Sequence, residues 1–437
     1  MLFHTPIFLF AFLPITLIFY YLVRSYTKIP HEYVLIIAGL IFYAYWNIYL
    51  SPLIIISILS NFYFGKYLRS DRSKNSKKLI IISAVSLNIL FLAFFKYSDF
   101  IIQNFNHIFD LNLKELNLPF PLAISFFTFQ TIAFLVDCKE DNIKDYSLAK
   151  YSLFIIFFPQ LIAGPIVRYN YMMPQFEDEN NKSLNRHNIT LGFLIILIGL
   201  FKKILIADNL SIFVNNGFTN HADIDLLNSW LSSFSFTFQI YFDFSGYVDM
   251  ATGIALLFNI RLPKNFDSPF KATSIINFWQ RWHITLSNFL MNFIYVPWTR
   301  SFKKLTYFKA MFVAVMVFLI AGIWHGPAWT FVIFGILHGF GLIINHGSKR
   351  FFKFKINKII LWFITFNYVN LAFIFFRAEN FTTAFNIIRG MAGLNGFSNQ
   401  NIIENNYYSL LAFFISIILC FFFKNINYLL DNFKFNK

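Results

Sequence analysis

Apolar runs long enough to cross a bilayer recur along this chain of 437 residues, and they leave few architectures open. Inside hydrocarbon no water can take up a backbone N–H or C=O, so only helices or a closed barrel can span it. Helical spans need about 20 apolar residues and barrel strands about 10; the runs here are of the helical kind. With 57% apolar residues, 13% charged residues and a mean hydropathy of +0.57, the chain is predicted to be an all-α polytopic membrane protein. The runs total about eleven or twelve helices of about 20 residues each. They are read as a single integral-membrane domain over 1–437, with no repeat of 20–50 residues and no likeness between halves.

One run differs from the rest. FLIAGIWHGPAWTFVIFGIL, 318–337, places an ionisable side chain at membrane depth. Such a group is costly there and by default is functional and faces the protein interior. Gly326-Pro327 cannot continue the helix through Trp324 and His325, and Pro327 suits the start of the next helix. His325 is therefore expected at a helix break, its ring aimed into a cavity. The alternative is a core histidine bonded to a backbone carbonyl.

Charge gives the orientation. The net charge of +15 lies in short loops between apolar runs and forms no basic stripe for nucleic acid. The first run, 7–23, lacks the basic residue ahead and the cleavage site behind that mark a removable signal peptide, and reads as an anchor. Arg24 and Lys28 follow it; two spans later comes the loop with Lys66, Arg69, Arg72, Lys74, Lys77 and Lys78. Basic loops face the cytoplasm, which places the N-terminus of a multi-pass membrane protein outside. The intervening spans are 33–50 and a short one at 53–64, followed by 79–95.

Polar insertions mark the later chain. PFPLAISFFTFQTIAFLVD, 119–137, carries Ser125, Thr128, Gln130 and Thr131, read as close helix packing before pore lining. Pro159 and Gly164-Pro165 predict that 151–167 breaks or re-enters, and the acidic segment 168–188 is expected in water. Spans follow at 188–207 and 226–242. Apolar character then collapses in YFDFSGYVDM, 241–250, expected to bend; Asp243 and Asp249 do not share a helical face, so no paired-carboxylate site is supported. Asp243 is a candidate for the mouth of a site. The stretch 261–300 holds no span. Phe278, Trp282, Phe289 and Phe293 recur at helical spacing, which predicts an amphipathic helix lying in the headgroup plane. On that helix Trp279 and His283 would share a face at i, i+4, and His283 is the second site candidate. The last spans are 310–324, 328–344, 359–376 and 407–423.

The chemistry is narrowed by what is missing. No P-loop, GxGxxG, HExxH, GxSxG or CxxC occurs, so nucleotide hydrolysis, zinc proteolysis and serine-hydrolase chemistry lack their groups. No metal site is predicted, and Cys138 and Cys420 are too few and too isolated for a disulfide framework. A neutral imidazole is a suitable general base near pH 7 and can deprotonate a hydroxyl attacking a thioester. Arg281, Trp279 and Tyr295 could donate hydrogen bonds to the developing oxyanion; Trp324 flanks the base.

The stretch 241–290, together with GIWHGPAWTFVIFGILHG, resembles the membrane-bound O-acyltransferase (MBOAT) family. The likeness is to its bacterial branch, the AlgI- and PatA-like proteins that O-acetylate extracytoplasmic polysaccharides. PLAISFFTFQTIAFLVD, FFPQLIAGPIVRYNYMMPQF and FLFAFLPITLIFYYL are similar to the same branch, so the resemblance runs from the N-terminus to about Phe376, with a motif core at 119–345. The last sixty residues carry no recognisable pattern, and the chain is somewhat short for this branch at that end. The resemblance implies an MBOAT fold, a ring of about eleven helices around a thin centre with cytoplasmic and periplasmic funnels. It matches His325 in WHG to the family's essential histidine and His283 in RWH to its second polar position. It also implies an acetyl donor in the cytoplasm, acetyl-CoA or another acetyl thioester, no tightly bound cofactor, and a periplasmic SGNH-type partner that completes transfer to sugar hydroxyls. The acceptor is peptidoglycan or alginate; the Ile, Asn, Lys and Phe bias of an AT-rich genome favours peptidoglycan. A non-enzymatic exporter or flippase is the rival of another class, for which the imidazole would not matter.

Overall fold

The computed structural model describes residues 1–26, 30, 32–71, 73–143, 146–351, 356–397 and 406–433; Lys28 and Arg72, two of the basic anchors named above, lie outside them. Among the described residues every regular element is helical. Six helices are long and apolar enough to cross a bilayer: Ile48–Arg69, Lys74–Phe109, Arg186–Thr219, Tyr307–His325, Trp329–Phe351 and Lys358–Arg377. A seventh is a pair, Tyr407–Phe422 and Ile426–Asn432, bent by 50° at its break. The other anticipated spans fall on shorter or more polar helices. Phe8–Arg24 and Glu32–Ala44 are short apolar helices, the run at 119–137 helps form the 16-residue helix Ile124–Lys139, and 226–242 lies inside Leu226–Leu257. The span expected to be short, 53–64, is part of a full-length helix.

The chain divides into two compact units. Among the described residues the first comprises those of Met1–Leu197 and Tyr247–Pro263. Its polar residues at Ser125, Thr128, Gln130 and Thr131 are all buried, with Thr131 Oγ1 3.5 Å from the Tyr151 hydroxyl, as close helix packing requires. The run 151–167 is broken as its prolines predict, into Leu148–Ile156 and Phe158–Leu161. Part of the segment expected in water instead folds inward: Tyr169–Glu177 buries Met172, Met173 and Phe176, and Arg168 pairs with the fully buried Asp137. The acidic residues that signalled water occupy only one end of that helix, while its apolar residues recur on one face. Leu87, Leu90 and Phe94 of the long helix Lys74–Phe109 are exposed, a face that lipid would cover.

The second unit, Ile198–Gly246 with Lys264–Phe433, holds all the candidate site residues. It corrects two expectations. The stretch 241–250 does not bend, because Leu226–Leu257 runs through it unbroken. Gly246 lies against Gly199, whose carbonyl oxygen would be 2.9 Å from an added Cβ, so the collapse of apolar character there marks a close helix contact. Nor is 275–300 a surface helix. Phe278, Trp282 and Phe289 are buried, and the segment is cut into Ile275–Trp279, Ile284–Leu290, a π-helical turn Met291–Tyr295 and Val296–Arg300. The first of these ends at Trp279, and His283 has φ 44°, in the left-handed region. Trp279 and His283 therefore do not share a helical face. The spacing that signalled an amphipathic helix is that of side chains packed inward along a broken path.

Candidate active site

The site is built on the hairpin of Tyr307–His325 and Trp329–Phe351. Thr306 caps the first helix by accepting a hydrogen bond from the Lys309 amide at 3.4 Å. The two helices touch at backbone level. A Cβ on Gly322 would lie 2.3 Å from the Phe331 carbonyl oxygen, and one on Gly335 would lie 2.4 Å from that of Phe318. Small residues let membrane helices approach this closely. His325 is the last residue of the first helix and is followed by Gly326 in an extended conformation, which is the break expected from Gly326-Pro327. The second helix starts at Trp329, two residues later than proposed for Pro327, because Ala328 supplies the carbonyl that opens its first turn. Gly326 has no room for a side chain: an added Cβ would be 2.2 Å from the Phe331 ring.

The His325 ring is half-buried in an aromatic cage of Trp324 at 5.0 Å, Phe376 at 5.1 Å and Phe334 at 5.8 Å. Trp324 is thus placed beside His325. Phe334 also packs on a second histidine of the hairpin, His338, at 4.6 Å. His338 is fully buried, and its Nδ1 accepts a hydrogen bond from Trp279 Nε1 at 3.1 Å. An indole N–H can only donate, so Nδ1 carries the lone pair and the proton of neutral His338 sits on Nε2. Sequence reasoning missed His338, although the rule that singled out His325 applies equally to a second intramembrane histidine thirteen residues further on.

His283 has the opposite tautomer. Asn265 Oδ1 accepts from the Thr285 amide at 3.2 Å and the Thr285 hydroxyl at 2.9 Å, so its 3.1 Å contact with His283 Nδ1 is an N–H donated by the imidazole. Nε2 is left as the basic nitrogen. The ring packs edge-on against Phe244 at 4.9 Å. Burial, with a smaller contribution from His325, pushes the His283 imidazole down to about 3, so it stays neutral. His325 and His338 are joined through Phe334, which packs on both rings.

The remaining candidates separate. Arg281 is committed to the loop before its helix, donating to the Asp267 carbonyl at 3.0 Å and to Asn277 Oδ1 at 3.1 Å. Asp243 is half-exposed and pairs with Lys203 at 2.7 Å. Trp279 and Tyr295 line a cavity of about 420 Å³, within the range of small-molecule sites. Its walls are mainly apolar, with Gln280, Asn288 and His346 as polar points. His325 does not line it; Trp279 and Phe318, which do, both touch His338. His346 lies on the last turns of Trp329–Phe351, the hairpin end that carries Lys309, Lys349 and Arg350. Among the described residues no group of three or more His, Cys, Asp or Glu could hold a metal ion.

A broken intramembrane helix ending in a caged histidine, with a second histidine at a strained turn, is an arrangement a family model can be tested against. The model of MBOAT, the membrane-bound O-acyltransferase family, matches residues 7–383. The chain belongs to that family. It is 44% identical to a peptidoglycan O-acetyltransferase of Helicobacter pylori over 429 residues, covering 91% of this chain and 81% of the relative. It is 31% identical to a probable alginate O-acetylase, AlgI, of Azotobacter vinelandii, covering 90% and 78%. A teichoic acid D-alanyltransferase of Streptococcus thermophilus is 28% identical over 58% of this chain and 68% of its own length. The MBOAT reading made from WHG and RWH therefore holds, and the chain is a polytopic acyltransferase of this family.

Proposed function

We propose that this MBOAT protein is a membrane O-acetyltransferase that serves O-acetylation of peptidoglycan. The acetyl group comes from a cytoplasmic thioester, acetyl-CoA, and passes to a periplasmic SGNH-type partner that completes transfer to sugar hydroxyls. The observation that carries the reading is His325, half-buried at the break of an intramembrane helix and held by three aromatic rings. Identity of 44% to a peptidoglycan O-acetyltransferase, against 31% to an alginate O-acetylase, supports peptidoglycan as the acceptor.

The residues divide the work. His325 is the general base that takes the proton of the attacking hydroxyl, a role worth about 10²–10⁴ in rate. His283, neutral and with Nε2 basic, is the second imidazole of the centre. The cavity lined by Trp279 and Tyr295 receives the thioester arm. The hairpin end with Lys309, Lys349 and Arg350 is basic, so by the charge rule it faces the cytoplasm of an inner membrane, where the donor is made. The N-terminus is outside by the same rule.

The test uses the purified protein with acetyl-CoA and a thiol-reporting dye. The wild type releases CoA and His325→Ala does not, at equal expression. In cells lacking the gene, the wild type restores O-acetyl groups on isolated murein and His325→Ala fails to. CoA release unchanged in His325→Ala would remove the assignment, and restored acetylation of alginate but not of murein would change the acceptor.

A further inference from the structure

The cavity and the catalytic histidine do not meet, and the residues between them form one chain of contacts. Trp279 and Phe318 line the cavity and pack on each other at 4.7 Å. Behind them the His338 ring lies 5.0 Å from Trp279 and 6.3 Å from Phe318. Phe334 stands next, 4.6 Å from His338 and 5.8 Å from His325. The one polar link in this chain is the bond from Trp279 Nε1 to His338 Nδ1. An indole N–H in an apolar interior needs an acceptor, so this bond selects the Trp279 rotamer. The closed arrangement is not fully satisfied either, because His338 Nε2 is buried with no hydrogen-bond partner among the described residues.

We propose that His338 is a positioning residue that acts through Trp279, holding the indole across the inner end of the donor cavity until a thioester arm displaces it. The inference rests on the acetyl-transfer reading above. Closed, the indole keeps the cavity and its water from the base; displaced, it releases the His338 ring, and His338 and Phe334, the rest of the wall, can then shift to admit the thioester carbonyl to His325. The requirement at position 338 is an acceptor at Nδ1, which an asparagine carbonyl can replace and an alanine cannot.

Two measurements on the full-length protein test this. In a Phe334→Cys background, where Cys138 and Cys420 are both buried, a water-soluble maleimide reports access behind the indole. Labelling is expected to rise about tenfold with Trp279→Ala or His338→Ala, the shift from losing one hydrogen bond, and to stay near the parent rate with His338→Asn. With Phe334 intact, CoA release from acetyl-CoA with water as the acyl acceptor, giving acetate and CoA, is expected to rise about three- to tenfold in Trp279→Phe and in His338→Ala, and no further in the double variant. His338→Asn behaving as His338→Ala, or additive effects in the double variant, would overturn the proposal. So would unchanged labelling in all variants. CoA release that persists in His325→Ala would instead remove the acetyl-transfer reading and leave the labelling result standing.

Discussion

Two stretches interrupt the apolar pattern of this chain, and the fold treats them oppositely. YFDFSGYVDM at 241–250 carries two aspartates, a serine and a glycine, yet the helix Leu226–Leu257 runs straight through it. WHGPAW at 324–329 carries one ionisable residue, and there the helix stops. The number of polar groups is therefore not what breaks a helix. Polar side chains are tolerated where neighbours take them up, as Lys203 takes Asp243 and Asn370 accepts from Ser233 and Thr237. At Gly326-Pro327 the proline removes a backbone donor and clashes with the preceding turn, and Gly326 is extended, so the helix ends at His325. The first stretch thus supplies a close helix contact and the second a place to set an imidazole.

Substitutions can break or sharpen this contrast. The largest effect is expected from His325→Ala, with CoA release falling by about 10³ or more and the folded protein unaffected in size-exclusion profile. Pro327→Ala returns an N–H and lets the first helix run on, so the ring moves; kcat is expected to fall about 10–100-fold, and full activity would mean that the break does not aim the histidine. At the unbroken site, Gly246→Leu forces a side chain against the Gly199 carbonyl and should lower stability by about 1–3 kcal/mol, read as an earlier thermal transition.

The pH profile separates the imidazoles. Burial holds His283 at about 3, so it is neutral throughout the working range and cannot produce a limb there. A base is active only when deprotonated, so any rising limb of activity with pH is owed to a group other than His283. Such a limb should persist in His283→Gln at lower amplitude. The smallest effect belongs to Asp243→Asn. Its ion pair with Lys203 is half-exposed, and its loss should change stability by less than about 1 kcal/mol and leave CoA release within about twofold.

Much of this was legible from residues alone, in a patterned way. The membrane class followed from the length of apolar runs, and the break at His325 followed from Gly326-Pro327, because both are local properties of the backbone. The surface helix expected within 277–300 was not found, since a helical spacing of aromatics looks the same whether the face meets lipid headgroups or a protein interior. Arg281 read as a hydrogen-bond donor for the site, but its partners Asp267 and Asn277 belong to the neighbouring loop and helix. His338 was markable by its place in an apolar span, as His325 was, but its role was not, because its partner Trp279 is 59 residues away.

The sequence by itself determined that the chain is helical, lies in a membrane and interrupts a helix after His325, because hydrocarbon forbids unsatisfied backbone and a Gly-Pro pair strongly disfavours continuity. Only the tertiary structure decided which side chains gather around that interruption. Contacts between distant segments set the tautomers of His283 and His338, the aromatic cage, and the wall between cavity and base, and no local rule encodes them.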